Sequence, residues 1–174
     1  MARIEQVMLR PEEPGDEAAI GAVLAAAFGR QDAADLVARL RAAAGLTISL
    51  VAVAGGAIAG HAALSPITIE GAEAGTRWFG LAPVAVRPDH QRQGIGTRLV
   101  EEILQQATAL GASAVFVLGD PGYYWRFGFA EAGPQGWRCL YDAPSAAFRV
   151  ALLGPRTDPP PPGVVRYHPA FDEP

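Results

Sequence analysis

The chain has 174 residues, half of them hydrophobic, a net charge of −4, one Cys, three His, and 14 basic residues that are all Arg. This composition fits a single domain over residues 1–174 and excludes global disorder. It also argues against nucleic acid as a partner, because a phosphate backbone binds basic surfaces. The lack of Lys excludes P-loop and Schiff-base chemistry, and one Cys with scattered His argues against a metal site.

Two helices are predicted after a first strand. Residues 3–10 alternate loosely between apolar and polar side chains, which indicates a strand. Asp16 is placed to cap a helix that continues to Phe28. Residues 31–44 repeat the helical spacing of apolar side chains. We expect both helices to pack an apolar stripe against the core.

Three strands are predicted next, joined by short turns. They cover residues 47–54, 57–69 and 77–86, and the Gly55-Gly56 pair supplies a tight turn between the first two. Pro66 indicates a bend or an edge in the second strand. Strands joined in this way form an antiparallel meander.

A helix over residues 97–110 follows a glycine-rich turn, and a wholly apolar strand over 114–118 comes after it. Such an apolar run is typical of a central strand covered on both faces. A strand, a helix and a strand in this order form a right-handed parallel unit.

The C-terminal part is predicted to close the fold. One or two helical turns cover 123–127, and closing strands cover 137–141 and 147–153. Residues 154–163 include four consecutive Pro, which is typical of a stiff linker. Residues 164–167 are expected to return as an edge strand.

Location and assembly are less constrained by the sequence. The N-terminal residues lack a charged-then-apolar signal pattern, and no apolar run is long enough to span a bilayer. We therefore expect a cytoplasmic protein with no membrane partner. Exposed strands and the Pro-rich segment could build a homodimer.

The most informative segment is the turn into the helix, Gln91-Arg92-Gln93-Gly94-Ile95-Gly96-Thr97. The first amides of a helix lack intrahelical partners and lie at the positive end of its dipole. Glycines let the backbone approach an anion closely, which predicts a phosphate site. A dinucleotide fingerprint would need a small residue where the chain has Leu99. The remaining interpretation is a pyrophosphate held by main-chain amides, to which Arg92 and Arg98 could add charge.

This turn resembles the Q/R-x-x-G-x-G/A motif of the GCN5-related N-acetyltransferases, the GNAT family. The preceding strand looks like the family's fourth strand, and a downstream aromatic segment is similar to its Tyr-x-x-x-Gly-Phe signature. These two segments are Val84-Ala85-Val86-Arg87-Pro88 and Tyr124-Trp125-Arg126-Phe127-Gly128-Phe129. Further segments resemble the bacterial YhbS-like subgroup: 61–66, 118–121, and the C-terminal Val165, Tyr167 and Phe171. The resemblance covers nearly the whole chain.

The resemblance implies an α+β fold in three α/β/α layers, with a mixed, mostly antiparallel sheet and a splayed central parallel pair. It implies an acyltransferase that uses acetyl-coenzyme A as cosubstrate, without a metal. The acetyl group would pass to a small-molecule or protein amine by direct attack, and Tyr124 would protonate the leaving thiolate, with Tyr123 as the fallback. The implied coenzyme-binding residues are Val84, Ala85, Val86, Gln91, Arg92, Gln93, Gly94, Ile95, Gly96 and Thr97.

Several alternatives stay open at this point. Tyr124 belongs to an aromatic cluster, and such clusters are usually core. The same fold could instead serve as a non-catalytic acyl-coenzyme A sensor or a partner-binding module. Arg126 and Arg138 could bind an anionic substrate or be solvated. The general base is undetermined, and the alternatives to water are Asp120, His61, Glu70, Glu73 and Ser65.

Overall fold

The computed structural model describes residues 6–73, 77–154 and 159–172. Residues 3–5 of the predicted first strand therefore lie outside the described part. The helices are α1 (Glu17–Phe28), α2 (Asp32–Ala42), α3 (Ile95–Ala109) and α4 (Pro121–Tyr124). The strands are β1 (Met8–Pro11), β2 (Ile48–Ala54), β3 (Ala57–Pro66), β4 (Thr68–Ile69), β5 (Trp78–Val86), β6 (Ala114–Leu118), β7 (Ala130–Glu131), β8 (Trp137–Cys139), β9 (Phe148–Leu152) and β10 (Gly163–Arg166).

Helices α1 and α2 form close to their predicted positions, but the predicted cap at Asp16 is wrong. The Asp16 side chain makes no capping hydrogen bond. Its carboxylate instead accepts hydrogen bonds from the Arg10 guanidinium at 2.7 Å and from the Glu13 amide at 2.8 Å. The carboxylate therefore stabilises the turn between β1 and α1. Its oxygens do not cap α1, because the ion pair with Arg10 of the neighbouring strand competes with the helix amides for them.

The main sheet has seven strands in the order β1-β2-β3-β5-β6-β9-β7. The predicted meander is confirmed, since β2, β3 and β5 are antiparallel neighbours. The predicted parallel unit is confirmed as well, because β5 and β6 pair in parallel with α3 between them in the chain. Prediction missed the two-residue strand β7, which is too short to give an alternating pattern.

A second sheet has three strands in the order β4-β10-β8. The predicted long strand over 57–69 divides at Pro66, and its end joins this small sheet. β10 is the middle strand, so its predicted edge position is wrong; Val165 is fully buried there between two neighbours. β8 pairs with β10 and not with the main sheet.

The Pro-rich segment is packed where the structure describes it. Residues 155–158 of the predicted linker lie outside the described residues. Beyond them, Pro160 is buried, and the Pro161 carbonyl accepts a hydrogen bond from the Trp137 indole at 2.9 Å. Residues 159–162 therefore hold the start of β10 against β8.

The core lies on both faces of the main sheet. On one face α3 packs Leu99 and Ile103 against side chains such as Leu50 of β2. On the other face α1 and α2 pack against Val51 and Ala85. Neighbouring residues of one strand point to opposite faces, so β2 serves both layers. The predicted three-layer α+β architecture is confirmed. Among the described residues, no helix is both long and apolar enough to cross a membrane.

The parallel pair of β5 and β6 opens after three residue pairs. The last pair is Gly80 with Phe116, and β5 then continues to Val86 with β3 as its strand partner within the described residues. The register between β3 and β5 shifts between Ala62 and Leu64, which marks a bulge in this part of β5. We call the opening between the two strands the fork; it confirms the predicted splayed pair.

Candidate active site

Helix α3 begins at Ile95, two residues earlier than predicted. The chain reaches it through backbone in the left-handed region at Arg92 (φ 61°) and Gly94 (φ 84°). Gly96 and Thr97 therefore lie inside the first helical turn, where amides have no intrahelical partner. The early start means that Ile95, Gly96 and Thr97 supply the free main-chain N–H groups of the helix, because the first intrahelical bond runs from the Arg98 amide to the Gly94 carbonyl.

Two glycines allow close packing around this helix start. A Cβ atom on Gly60 of β3 would lie 3.1 Å from Ile95 Cγ2, and one on Gly96 would lie 3.1 Å from the Tyr123 hydroxyl. The Tyr123 hydroxyl is also 3.5 Å from Thr97 Oγ1. Gly60 is not among the site residues predicted from the sequence, although a glycine inside a strand is itself a signal of close backbone approach.

Some polar side chains of the turn have structural roles. Gln91 Nε2 donates a hydrogen bond to the Val86 carbonyl at 3.0 Å, which ties the turn to the end of β5. Arg98 donates to the Val7 carbonyl at 2.8 Å, so its guanidinium holds the chain before β1. Arg92 and Gln93 are exposed beside the helix start. Of the two arginines expected to add charge, Arg92 is the one on the exposed turn.

The end of β5 offers one paired and one open edge. On the β3 side, Val84, Ala85 and Val86 are paired in register with residues 60–62. On the fork side, no strand pairs with these three residues within the described parts of the chain. An open strand edge presents amides and carbonyls that can pair with an extended, amide-containing ligand.

Tyr124 lies at the end of α4, on the α3 side of the fork. Its ring packs edge-on against Phe129 with 5.6 Å between centroids, and it covers Gly119 at the end of β6. Burial, with a smaller contribution from Tyr123, raises the pKa of Tyr124 to about 12. The hydroxyl therefore carries its proton throughout the physiological pH range.

The structure separates Tyr123 and Tyr124, which the sequence left as alternatives. Tyr123 turns toward the start of α3. The Arg126 guanidinium stacks over the Tyr123 ring in a cation–π contact, with Cζ 4.7 Å from the ring centroid. Tyr124 turns toward Gly119. The two rings meet edge-on with 5.1 Å between centroids, so each fixes the orientation of the other.

The carboxylates considered as a general base have structural partners. Asp120 accepts from the Gly122 amide at 2.9 Å and caps α4. Glu70 accepts from Arg166 Nε at 2.8 Å across the small sheet. Both contacts indicate structural roles for these two carboxylates. Water therefore remains a candidate for the group that accepts the proton of the amine. Among the described residues, no group of three or more His, Cys, Asp or Glu is arranged to hold a metal ion.

His61 of β3 is buried and belongs to a polar network. Its Nε2 lies 2.9 Å from Ser49 Oγ, and Ser49 donates to a Glu12 carboxylate oxygen at 2.5 Å. Because that carboxylate accepts the serine proton, His61 Nε2 is the donor to Ser49. Burial, and then the charge of Arg41, lower the pKa of His61 to about 4. The two remaining candidates for the general base differ in exposure. Glu73 is exposed, whereas Ser65 is buried without a hydrogen-bond partner among the described residues.

Comparison with known proteins agrees with this fold. The profile of the acetyltransferase (GNAT) domain matches residues 9–132. The chain therefore belongs to the GNAT family of N-acetyltransferases, which confirms the predicted family and enzyme class.

Two Escherichia coli K12 proteins are similar in sequence. The protein named uncharacterized N-acetyltransferase YhbS is 36% identical over 167 residues, covering 95% of this chain and 99% of its own length. The protein named uncharacterized N-acetyltransferase YjhQ is 36% identical over 135 residues, covering 76% of this chain and 75% of its own.

Two solved structures are similar over nearly the whole chain. E. coli YhbS in complex with coenzyme A superposes with a TM-score of 0.89 and 34% identity, covering 99% of this chain and 96% of its own. A Brucella melitensis GNAT acetyltransferase in complex with acetyl-coenzyme A superposes with a TM-score of 0.81 and 41% identity, covering 97% of this chain and 99% of its own.

Proposed function

We propose that this chain, acting as a single domain, is an acetyl-coenzyme A-dependent N-acetyltransferase that modifies a primary amine. The observation that carries the proposal is the fork, whose open β5 edge ends beside the start of α3 while Tyr124 lies close to the end of β6. Similar proteins bound to coenzyme A or acetyl-coenzyme A support it.

The residues present fit the coenzyme at both of its polar parts. The amides of Gly94, Ile95, Gly96 and Thr97 would hold the pyrophosphate, because they lie at the N-terminus of a 15-residue helix. Gly96 leaves space that a side chain would fill beneath the Tyr123 hydroxyl. Arg92 and Gln93 would contact the phosphates from the exposed turn.

The open edge of β5 would pair with the pantetheine arm. That arm contains two amides and can therefore extend the sheet as a short strand along Val84, Ala85 and Val86. Gln91 fixes the end of this edge through its bond to the Val86 carbonyl. The N–H group of Val84 would donate to the thioester carbonyl, where negative charge develops during acyl transfer.

The coenzyme supplies an activated acetyl group when it is bound. A neutral amine attacks the carbonyl carbon, a C–N bond forms, and the C–S bond breaks with its electron pair on sulfur. Tyr124 donates its phenolic proton to that sulfur, and the proton lost by the amine returns to Tyr124 through water. Proton donation favours release because a protonated thiol is a better leaving group than a thiolate.

The test combines binding with turnover. Calorimetry should detect binding of acetyl-coenzyme A, and a thiol-specific reagent should detect coenzyme A release when a panel of primary amines is added. Mass spectrometry should find an acetyl group on the accepted amine. Tight binding without thiol release for every amine would contradict the proposal and favour the acyl-coenzyme A sensor.

A further inference from the structure

A cavity opens at the mouth of the fork. It has a volume of about 260 Å³ and is lined by Ala82, Leu118, Tyr141, Tyr167 and Phe171. Ala82 belongs to β5 and Leu118 to β6, and both lie beyond the last pair that joins the two strands. The cavity therefore lies where the two strands have separated. A molecule bound in the cavity would reach an acyl group held at the fork.

The cavity lies on the face of the sheet opposite α3. Phe116 and Tyr167 share a hydrophobic cluster that is distinct from the α3 cluster, which contains Val115 and Val117 of the same strand. Tyr167 packs directly on Gly80, the β5 partner of Phe116, because a Cβ atom there would lie 2.5 Å from the Tyr167 ring. An occupant of the cavity would therefore face the fork from the side opposite the coenzyme-binding helix.

The cavity wall is aromatic and carries no formal charge. Three of its five lining side chains are aromatic, and none of the five is ionised at neutral pH. Tyr167 packs against Tyr141 and Phe171 with ring centroids 5.9 Å and 5.2 Å apart. Its hydroxyl is buried and has no hydrogen-bond partner among the described residues. Burial raises the pKa of Tyr167, so that this hydroxyl stays neutral.

A carboxylate lies next to this wall. The Tyr141 hydroxyl donates a hydrogen bond to Asp172 Oδ1 at 3.1 Å, and Asp172 is exposed. An exposed carboxylate attracts a cationic amine and repels an anion. Among the residues that the structure describes, no arginine lines the cavity, so a buried carboxylate or phosphate on the ligand would be left without a counter-ion, at a large desolvation cost.

We propose that the acceptor is a small primary amine with an aromatic or branched apolar body and no acidic group, seated in this cavity. The proposal rests on the acetyltransferase function proposed above. A single ring with a two-carbon amine fits a cavity of this size, and its apolar surface leaves water on binding. The Tyr141–Asp172 pair beside the wall is the polar feature that favours a basic amine over an acidic ligand.

Three primary amines, which differ in whether they carry a ring and a carboxylate, test the proposal. 2-Phenylethylamine has the expected shape, L-phenylalanine adds a carboxylate to it, and ethanolamine lacks the ring. With saturating acetyl-coenzyme A, we expect kcat/KM for 2-phenylethylamine to exceed that for the other two by about 30-fold or more.

A variant of the wall localises the effect. Phe171→Ala should lower kcat/KM for 2-phenylethylamine about 10-fold by removing a ring from the wall, and should change kcat/KM for ethanolamine less than about 2-fold. Phe28→Ala, at an exposed Phe on α1, is the matched control and should change neither value. Phe171→Leu keeps an apolar side chain and tests the ring alone if Phe171→Ala lowers the melting temperature.

The outcomes separate this proposal from the proposed function. Thiol release with ethanolamine equal to or faster than with 2-phenylethylamine overturns the substrate class and leaves the acetyltransferase intact. A preference for hexanoyl- over acetyl-coenzyme A that is lost in Phe171→Ala assigns the cavity to the acyl chain and also overturns it. Absence of thiol release with every amine overturns both proposals.

Discussion

The Tyr124 ring lies directly on the Cα of Gly119, so closely that a Cβ atom at Gly119 would be 2.3 Å from Tyr124 Cε2. No side chain larger than hydrogen fits between them. Gly119 follows the last residue of β6, so this contact fixes Tyr124 relative to the fork. The proposed acid is therefore positioned by a glycine that lies outside the glycine-rich turn and the Tyr-x-x-x-Gly-Phe signature, in the 118–121 segment that resembles the YhbS-like subgroup.

Replacing Gly119 should misplace the Tyr124 ring. We expect Gly119→Ala to lower kcat about 10-fold, while the Kd for acetyl-coenzyme A changes less than about 3-fold, because the ring moves and the helix start does not. Gly133→Ala is the matched control, since a Cβ atom there meets nothing within 4 Å. Equal kcat values for the two variants would show that this contact does not position the acid.

Removing the Tyr124 hydroxyl should affect turnover and leave binding nearly unchanged. We expect Tyr124→Phe to lower kcat by about 10² or more, the usual contribution of a general acid, with little change in coenzyme affinity. Tyr123→Phe is the comparison, because its hydroxyl faces the start of α3. A larger loss of kcat in Tyr123→Phe than in Tyr124→Phe would transfer the acid role to Tyr123.

The raised pKa of Tyr124 predicts the shape of the pH profile. An acid must be protonated to act, and a group with a pKa of about 12 is protonated at all pH values well below that. We therefore expect kcat/KM to rise with pH as the amine loses its proton and to show no alkaline decline up to about pH 10. A decline near pH 8 that disappears in Tyr124→Phe would contradict this assignment.

A carboxylate at the start of α3 should block the coenzyme. We expect Gly96→Glu to weaken binding of coenzyme A about 100-fold or more, because its side chain enters the proposed pyrophosphate site and repels the phosphates. Gln105→Glu adds the same charge at an exposed position of the same helix and is the control. Calorimetry measures both, and retention of wild-type affinity in Gly96→Glu would move the anion site elsewhere.

Buried His61 should make stability depend on pH. Its pKa is about 4 in the folded chain and near 6.5 when exposed, so the unfolded state binds the extra proton between these values. The contribution of neutral His61 to the free energy of unfolding is therefore fully present above pH 6.5. The free energy of unfolding falls by up to about 3 kcal/mol as the pH drops toward 4.

The variant His61→Gln should reduce this pH dependence, because glutamine does not titrate. Urea unfolding at pH 7 and pH 4.5 measures the difference, and His168→Gln is the control for loss of a histidine elsewhere. An unchanged difference between the two pH values in His61→Gln would assign the dependence to other groups.

The sequence by itself determined the order of the main elements and the family. Apolar periodicity gave the meander and α3, and the apolar run of β6 gave its central position, because hydrophobic spacing is a local property of the chain. The glycine-rich turn before α3 indicated an anion site for the same reason: unpaired helix amides follow from local backbone geometry alone.

Tertiary structure decided the contacts between distant segments. β10 lies between β4 and β8, the Pro161 carbonyl bonds to the Trp137 indole, and Tyr167 packs on Gly80. Each contact depends on where two separate segments meet, and a local pattern carries no information about that. The cavity at the fork has the same origin, because its wall combines two diverging strands with the C-terminal segment.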